Sequence, residues 1–236
     1  GRYTIVFNGE IYNYRELKEQ LLAKGVPFKG NSDTEVLLYL FIEHGAGCLS
    51  MLNGFFAFAV YDKHIGSLFI ARDRIGIKPL HVYRDEEKII FASELKAILA
   101  YPVKKELDIA SLRMYLQLNY TPAPNTMFKQ VRKLPAGHYT IIDKEGKEEQ
   151  HQYYKVPQYN YGEEKIPDYE VAKRQLVELL DRSVQRRMVA DVPLGAFLSG
   201  GIDSSVIVAL ASRHTDKLNT FSIGYKDEPF FDETQY

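Results

Sequence analysis

The stretch "AFLSGGIDSSVIVALASRH", residues 196–214, decides the fold of the C-terminal part of the chain. An apolar segment, "VPLGAFLS", leads into two glycines, and an apolar pattern of helical period follows them. A second apolar segment, "LNTFSIGY", comes next, so the predicted order is buried strand, loop, helix, buried strand. Such a βαβ unit implies a parallel sheet with a ligand site at the carboxyl ends of its strands.

The loop at residues 199–201 has the composition of a phosphate cradle. Gly200 and Gly201 let the backbone approach a phosphate without a Cβ in the way. The following helix, predicted to start near Asp203 or Ser204, offers free N–H groups and a dipole that attracts anions. A plain strand-to-helix turn with serine caps is the alternative. The seven-residue run "SGGIDSS" in a βαβ setting favours the phosphate site.

Polar side chains surround this loop. Ser199, Ser204 and Ser205 add hydroxyl donors, and Asp203 could cap the helix or help to hold a magnesium ion. The Gly-Lys-Ser/Thr ending of a Walker A loop is absent. A loop without that lysine suits a pyrophosphate that leaves as a unit, so we expect AMP transfer rather than γ-phosphoryl transfer.

The N-terminal part of the chain, far from this βαβ unit in the sequence, is predicted to begin with a strand and two helices. The strand "YTIVF" is predicted to stop at the turn-forming pair Asn8-Gly9. The segment "YRELKEQLLAKG" is typical of an amphipathic helix in which Leu17, Leu21 and Leu22 share a face and which ends at Gly25. The segment "NSDTEVLLYLFIEHG" opens with a serine and a glutamate in capping-box spacing and predicts a second helix.

From Gly54 the apolar period changes to two, which predicts antiparallel hairpins. The segment "SELKAILA" then predicts a short helix capped by Ser93, and "DIASLRMYLQLN" predicts another begun at Asp108. A last hairpin, "GHYTIIDKEGKEEQHQYY", turns at Glu145-Gly146. This N-terminal region is therefore of the α+β class, and the region after it is α/β.

Composition between the two regions shifts to Pro, Tyr, Gly and charge, which indicates a linker. We expect a first domain at residues 1–155, a linker at 156–167 and a second domain at 168–236, opened by the helix "DYEVAKRQLVELLDRSVQRRM". Both ends of the sequence look cut: it starts with Gly1 inside a strand pattern and ends without a closing signal. We therefore expect a piece of a longer protein.

Charge and cysteine content narrow the class of protein. Lysine and arginine (30) nearly balance aspartate and glutamate (31), so nothing indicates nucleic acid or an anionic membrane as partner. No apolar run reaches the roughly 20 residues that a bilayer needs. The single cysteine, Cys48, excludes an internal disulfide and suits the cytoplasm; we interpret it as a buried apolar residue. The six histidines show no metal-ligand spacing.

Several motifs together resemble one enzyme family. The run "SGGIDSS" resembles the pyrophosphate loop of the ATP-pyrophosphatase superfamily, and "FLSGGIDSS" preceded by "RRMVADVPLGA" resembles asparagine synthetases. The blocks "FNGEIYNYRELK", "SDTEVLL", "LNGFFAFAVYD" and "ARDRIGIKPL" look like the class II glutamine amidotransferase domain of that family, in the same order. The resemblance implies an Ntn-type αββα sandwich, of which a part is missing, followed by the start of a PP-loop domain.

The resemblance also implies a glutamine site. Asn8 and Gly9 match the oxyanion-hole pair, whose donors are each worth roughly 3 kcal/mol at the transition state. Glu10 and Asp73 match the acidic residues that hold the α-ammonium of glutamine. Without the resemblance, Asn8-Gly9 would be interpreted as a type I′ turn. Asp73 would be interpreted as forming a surface ion pair with Arg72 or Arg74.

The family's nucleophile, an N-terminal cysteine, is not in the sequence, because residue 1 is Gly1. We therefore expect this chain not to hydrolyse glutamine by itself, and we expect its first domain to expose a sheet edge. In the second domain, Leu198 and Ile223 match positions that line the adenine or ribose pocket, and the family's later residues for aspartate and magnesium are absent.

The function expected from the resemblance is glutamine-hydrolysing asparagine synthesis. Aspartate, glutamine and ATP would give asparagine, glutamate, AMP and pyrophosphate through a β-aspartyl-AMP intermediate, with ATP as substrate and Mg²⁺ as cofactor. A related amidotransferase or β-lactam-forming synthetase with another acceptor remains open, as does a non-catalytic ATP-binding module. Small molecules are the expected partners, a homodimer is possible, and the expected location is the cytoplasm.

Overall fold

The computed structural model describes residues 1–158, 168–190 and 192–225. The chain divides into two compact units, Gly1–Pro157 and Gln158–Tyr236. Most of the predicted linker lies outside the described residues, as do the last residues of the chain. Among the described residues, none of the helices is both long enough and apolar enough to cross a membrane.

A five-stranded antiparallel sheet forms the centre of the first unit. Its order is β1-β2-β3-β7-β8, so two strands from the C-terminal part of the unit complete a sheet begun at its N-terminus. The strands are β1 (Tyr3–Ile11), β2 (Gly54–Asp62), β3 (Ser67–Arg72), β7 (His138–Ile142) and β8 (Glu148–Gln152). β1 lies at an edge of this sheet, as expected for the first domain.

A second antiparallel sheet has three strands in the order β5-β4-β6. Its strands are β4 (His81–Arg84), β5 (Ile89–Ala92) and β6 (Val131–Lys133). The residues between the two sheets are apolar on both inner faces: Ile70 of β3 packs with Leu80 and Leu134 at the ends of β4 and β6. The two hairpins predicted between residues 54 and 92 are confirmed, each in its own sheet.

Helices cover the outer faces of both sheets. Two long helices pack over the five-stranded sheet and bury Leu21, Leu37 and Leu40 with Phe58, while a short helix packs over the three-stranded sheet through Ile98. The helices are α1 (Tyr14–Ala23), α2 (Asp33–His44), α3 (Cys48–Met51), α4 (Leu95–Leu99) and α5 (Ile109–Leu118). The order of layers, helix, sheet, sheet, helix, is the predicted αββα sandwich.

Two helix starts confirm their sequence signals. The Ser32 side chain accepts a hydrogen bond from the N–H of Glu35 at 3.2 Å, and the Asp108 side chain accepts one from Ala110 at 3.0 Å. Of the three leucines predicted to share a face of α1, Leu17 and Leu21 are buried and Leu22 is 50% exposed. Two leucines per two turns are enough to anchor the helix, and the third lies at the rim of the covered face.

The prediction that the first strand stops at Asn8-Gly9 is wrong. β1 continues to Ile11 and pairs with β2 along its whole length, with Gly9 opposite Phe56. The turn interpretation of Asn8-Gly9 is therefore wrong as well. Local propensity favours a turn for this pair, but nine residues of pairing with the buried strand β2 outweigh it.

The second unit contains the predicted helix, strand, helix and strand. The elements are α6 (Tyr169–Arg187), β9 (Gly195–Phe197), α7 (Ile202–Ala211) and β10 (Asn219–Phe221). β9 and β10 pair in parallel, which confirms the βαβ unit. The prediction that both strands are buried is wrong, since Phe197 is 76% exposed and Phe221 57% exposed. The buried core of this unit lies where α6 meets α7, around Val184, Leu210 and Ala211.

Candidate functional site

Gly9 lies where β1 and β2 approach most closely. A Cβ atom at this position would lie 2.1 Å from the carbonyl oxygen of Phe55 and 2.8 Å from the Cα of Phe56. Real Cβ atoms do not come so close to backbone atoms, so the strand pairing needs glycine here. The pairing of β1 with β2 therefore requires glycine at position 9, independently of the oxyanion-hole role that the resemblance implies for Gly9.

The N–H of Gly9 points away from β2. Two residues later in β1, the N–H of Ile11 donates to the Asp33 carboxylate at 3.1 Å and so is directed to the outer side of the strand. In antiparallel pairing, N–H groups two residues apart point the same way. Gly9 therefore presents its N–H at the open edge of the sheet, where no described residue accepts it.

The Asn8 side chain is fixed by a serine from the other sheet. Asn8 lies on the same face as Ala57 of β2, and its Nδ2 donates to the Ser93 Oγ at 2.8 Å. A side-chain amide nitrogen carries two hydrogens, so one remains for a ligand. The predicted cap at Ser93 is wrong: Glu94 is the N-cap of α4, and it makes no side-chain capping bond.

A histidine holds the backbone of Ser93. His81 Nδ1 lies 3.1 Å from the Ser93 carbonyl oxygen, and because a carbonyl only accepts, Nδ1 carries the proton. Burial lowers the pKa of His81, so the ring is neutral near pH 7. The series His81, Ser93, Asn8 therefore orients the amide of Asn8. Sequence reasoning missed it because the three residues come from separate elements.

The Asp73 carboxylate organises a turn after β3. Asp73 is 1% exposed, and its two oxygens accept backbone N–H groups of Phe56 (3.3 Å), Ile75 (3.2 Å), Ile77 (3.0 Å) and Lys78 (2.9 Å). A carboxylate has about four acceptor positions, so these donors occupy it. Asp73 lies beside Phe56, which pairs with Gly9 on the other side of β2.

The surface ion pair considered for Asp73 is wrong, because both neighbouring arginines donate to backbone carbonyls. Arg72 binds the oxygens of Lys78, Leu134 and Gly76, each at 2.7 Å, and burial lowers the pKa of its guanidinium. Arg74 reaches the carbonyls of Leu49, Ser50 and Leu52. Together they fix the turn at residues 73–78 against both neighbouring segments, a role the sequence did not indicate.

The structure thus brings Asn8, Gly9 and Asp73 together across the same end of β2. Glu10, on the face of Asn8, pairs with Phe55. Cys48 lies in the core at 0% exposure, and burial raises the pKa of its thiol to about 12. A thiol so rarely ionised is a poor nucleophile, so the interpretation of this cysteine as a buried apolar residue is confirmed.

The loop after β9 turns sharply into α7. Gly200 has a φ of 77°, in the left-handed region that favours glycine, and Gly201 is the N-cap of α7. The prediction that the helix starts near Asp203 or Ser204 is wrong by one or two residues, because α7 begins at Ile202. The first N–H groups of α7 therefore follow the two glycines directly, with no intrahelical acceptor.

Serine hydroxyls close this loop. The Ser204 Oγ donates to the Gly201 carbonyl at 3.0 Å and lies 3.2 Å from the Ser199 Oγ. The Ser205 N–H donates to the same Gly201 carbonyl at 3.0 Å, and the Ser205 side chain is exposed. The hydroxyls of Ser199 and Ser204 thus hold the loop while both residues remain beside the exposed N-terminus of α7.

Leu198 and Ile223 lie near each other at the carboxyl ends of the parallel strands. The Leu198 N–H donates to the Phe221 carbonyl at 2.8 Å, and the Ser222 Oγ donates to the Leu198 carbonyl at 2.6 Å. Ile223 is 63% exposed. Asp203 stands in the first turn of α7, exposed and not in the capping position, so its predicted role as cap is wrong.

The two units match two family models in the order that the motifs suggest. Residues 1–154 match a model described as a glutamine amidotransferase domain, and residues 175–236 match one described as asparagine synthase. The first match covers more than half of the chain. The protein therefore belongs to the class of glutamine amidotransferases, with an αββα fold.

Relatives define the family more closely. Two Bacillus subtilis proteins named asparagine synthetase (glutamine-hydrolyzing), numbers 3 and 1, are each 39% identical, over 95% and 97% of this chain. A Methanocaldococcus jannaschii protein that carries the same name provisionally is 41% identical over 98% of the chain. Over nearly its whole length the chain is therefore similar to proteins named glutamine-hydrolysing asparagine synthetases. It spans 37%, 35% and 44% of the length of these relatives.

Among solved structures, a glutamine phosphoribosylpyrophosphate amidotransferase from Bacillus subtilis aligns with 95% of this chain and 46% of its own, at 18% identity and a TM-score of 0.47. That likeness is too low to add to the family match.

Proposed function

We propose that the protein makes asparagine from aspartate, with glutamine as the nitrogen donor and ATP as the source of activation. One observation carries the proposal: a single chain presents a fixed Asn-Gly pair at a sheet edge in its first unit and a Ser-Gly-Gly loop at a helix N-terminus in its second. The first suits hydrolysis of an amide, and the second suits binding of a nucleotide's phosphates.

In the glutamine half, Asn8 and Gly9 would form the oxyanion hole. The outward N–H of Gly9 and the second hydrogen of Asn8 Nδ2 are the donors for the oxygen of a tetrahedral intermediate. Because Ser93 already orients the Asn8 amide, little reorganisation is needed when negative charge develops on that oxygen.

Glu10 and Asp73 are the carboxylates proposed to hold the α-ammonium of glutamine. Four backbone N–H groups already hold the Asp73 carboxylate in place. It would therefore attract the α-ammonium through its negative charge, without a direct hydrogen bond and without moving. Glu10 follows the Asn8-Gly9 pair at the same end of β1. Each carboxylate lowers the energy of a cation held at that end of the sheet.

In the synthetase half, the loop at residues 199–201 would hold the β- and γ-phosphates of ATP. The glycines allow close approach, and the exposed start of α7 supplies N–H groups with a favourable dipole. Ser199, Ser204 and Ser205 border the phosphates, and Leu198 with Ile223 would line the adenine or ribose pocket.

Asp203 fits the role of one magnesium ligand. Mg²⁺ is commonly held by one or two carboxylates together with the phosphates of a substrate, and Asp203 is exposed in the first turn of α7 beside the phosphate loop. The described residues contain no group of three acidic, histidine or cysteine side chains that could hold a metal alone. A bound Mg²⁺ would neutralise the charge of the phosphates.

The remaining assignments rest on the same proposal. The domains would be residues 1–155 and 168–236 with a linker at 156–167. The partners would be glutamine, aspartate and ATP, and a homodimer would be the assembly of the full-length protein. A location in the cytoplasm agrees with a single, buried cysteine.

The proposal is tested in the full-length protein with Asp203→Ala. We expect this change to abolish the formation of asparagine and pyrophosphate while glutamate release from glutamine stays largely intact, because the two reactions use separate sites. Both products are quantified in the same reaction mixtures, with Asp216→Ala, an exposed aspartate after α7, as control. Equal loss of both reactions, or no loss of either, would contradict the proposal.

A further inference from the structure

A cavity of about 470 Å³ lies between the two sheets of the first unit. Ile70 and Ile142 of the five-stranded sheet form one wall, and Val82 and Leu134 of the other sheet form the opposite wall. Its volume is in the range of small-molecule sites, and its walls are mainly apolar, as such sites usually are.

The cavity is separate from the Asn8-Gly9 site. It is bordered by Glu148 and Gln150 of β8, whereas Asn8 belongs to β1 at the opposite edge of the same sheet. The cavity wall nearest to β1 is formed by Ile70 of β3, two strand spacings or roughly 10 Å from β1. Nothing in the glutamine or ATP reactions proposed above uses this cavity.

Positive side chains dominate its polar lining. Four cations border the cavity against one carboxylate, that of Glu148: Arg84, Lys129, Arg132 and Lys133. Arg84 pairs with Glu148 at 2.5 Å, and Lys129 pairs with Glu106 outside the cavity. Arg132 and Lys133 therefore carry the excess positive charge of the cavity lining.

Arg132 and Lys133 have no acidic partner among the described residues. Lys133 donates to the carbonyl of Thr121, and burial lowers the pKa of its ammonium, with the nearby positive Arg72 adding to the effect. The guanidinium of Arg132 has no hydrogen-bond or ion-pair partner in the described part of the chain. A planar guanidinium with its donors free is a ready partner for a carboxylate or phosphate.

Unsatisfied neutral groups line the same cavity. Thr140 is only 4% exposed, yet none of the described residues bonds to its hydroxyl. Gln130 also lines the cavity, and its Oε1 is buried without a hydrogen-bond partner among the described residues. Buried polar groups are normally satisfied, so the buried Gln130 Oε1 indicates that something else binds there, and the unbonded Thr140 hydroxyl is a further polar group at the cavity wall.

We propose that this cavity is a binding site for a small organic anion whose carboxylate or phosphate is held by Arg132, while Lys133, the next residue of β6 and so directed to the other face of the strand, adds positive charge at longer range. The hydroxyl of Thr140 bonds to the same anionic group, and the apolar walls from Ile70, Ile142 and Val82 contact the body of the ligand. A neutral molecule of the same shape leaves the two cations unpaired and binds weakly.

The test uses the chain itself with three probes that share one phenyl ring: phenyl phosphate, benzoate and the neutral benzyl alcohol. Binding is followed by changes in the amide NMR spectrum during titration. We expect saturable binding of at least one anion, with shifts at residues around Thr140 and Arg132, and at least tenfold weaker binding of benzyl alcohol. Whichever of phenyl phosphate and benzoate binds more tightly shows whether the natural ligand carries a phosphate or a carboxylate.

Variants separate charge from shape. Arg132→Gln is expected to weaken anion binding about tenfold or more, and Thr140→Val to weaken it severalfold. Arg113→Gln, at an exposed arginine of α5 away from the cavity, is the matched control and should bind as the unmodified chain does. Since Arg132 has no described partner, its variant should keep the native amide spectrum.

The proposal is overturned if neither anion saturates, if benzyl alcohol binds as tightly as the anions, or if Arg132→Gln and Arg113→Gln bind equally well. Shifts confined to residues near Asn8 would also overturn it, because the anion would then occupy the glutamine site.

Discussion

The two units of the chain build their candidate sites in different ways. In Gly1–Pro157, three hydrophobic clusters lie under, between and over two sheets, and residues from both sheets position the site. In Gln158–Tyr236, the described core is small, built around Val184, Leu210 and Ala211, and both strands are exposed. The loop at residues 199–201 of this unit is nevertheless closed by hydrogen bonds of Ser204.

The difference teaches which sites depend on tertiary structure. The amide of Asn8 is oriented by Ser93, a residue 85 positions later in the chain. The loop at residues 199–201 is closed by Ser204 and by the N-terminal turn of α7, all within a few residues. Changes in the first unit should therefore affect folding and site together, whereas changes in the second should remain local.

The largest expected effect comes from Gly9→Ala, compared with Gly201→Ala. A Cβ at Gly9 would collide with backbone atoms of Phe55 and Phe56, whereas at Gly201 the nearest atom, the Ser199 Oγ, is 3.6 Å away. We expect Gly9→Ala to destabilise the first unit by about 3 kcal/mol or more, beyond ordinary overpacking, because backbone cannot move aside as a side chain can. Thermal unfolding of both variants checks this.

Gly201→Ala should change the free energy of unfolding by no more than an ordinary surface substitution does, about 0.5 kcal/mol, so the melting temperature should stay nearly the same. If the two alanine variants unfold alike, the claimed difference between a site fixed by sheet packing and a site formed locally is lost.

A smaller effect is expected for Ser93→Ala in the full-length protein. Loss of the acceptor for Asn8 Nδ2 frees the amide to rotate, so glutamine-dependent synthesis should fall about tenfold, equal to roughly 1.4 kcal/mol. Synthesis from free ammonia should not change, because that reaction does not use the oxyanion hole proposed for glutamine. Steady-state rates with each nitrogen source measure the ratio.

Ser50→Ala is the control for this comparison, since Ser50 is exposed and its hydroxyl donates to the local Gly47 carbonyl. Equal losses with glutamine and with ammonia would mean that Ser93 supports folding rather than the position of Asn8.

The smallest effect concerns acid stability of the first unit. Asp62 at the end of β2 accepts three hydrogen bonds from Arg2 before β1, at 2.6, 2.9 and 3.0 Å, and this pairing lowers the pKa of the carboxyl to about 2. A carboxyl with a folded pKa below its unfolded value of about 3.9 stabilises the fold above pH 4. That contribution is lost as the pH falls from about 4 to 2.

Asp62→Asn should therefore unfold at a lower temperature than the unmodified chain at pH 6, and the gap should narrow below pH 3. Melting curves of tyrosine fluorescence across this range provide the measurement. A gap that stays constant with pH would show that the pair acts through packing rather than charge.

Much of the secondary structure follows from the sequence, because its signals are local. The capping serine of α2, the period-two hairpins and the βαβ order of the second unit were all predictable in this way. The strand through Asn8-Gly9 was not, since long-range pairing with β2 decides it. Exposure of β9 and β10 was also missed, because an apolar strand does not specify what covers it.

The same limit applies to the candidate sites. Motifs predict Asn8, Gly9 and the glycine loop as site residues; in the structure the Asn8 amide bonds to Ser93 and the loop leads into the N-terminus of α7. They could not indicate that Ser93 and His81 orient Asn8, nor that Asp73 accepts four backbone N–H groups, since those contacts cross from one element to another. The basic cavity between the sheets likewise has no motif.

The measurement that tests the account most directly is the effect of Asn8→Ala on the two nitrogen sources in the full-length protein. With glutamine, the rate should fall roughly 100- to 1000-fold, the usual loss on removal of one oxyanion donor, and with free ammonia it should stay within about twofold of the unmodified enzyme. Parallel losses with both sources would contradict an oxyanion hole at Asn8, and with it the separation of the two sites.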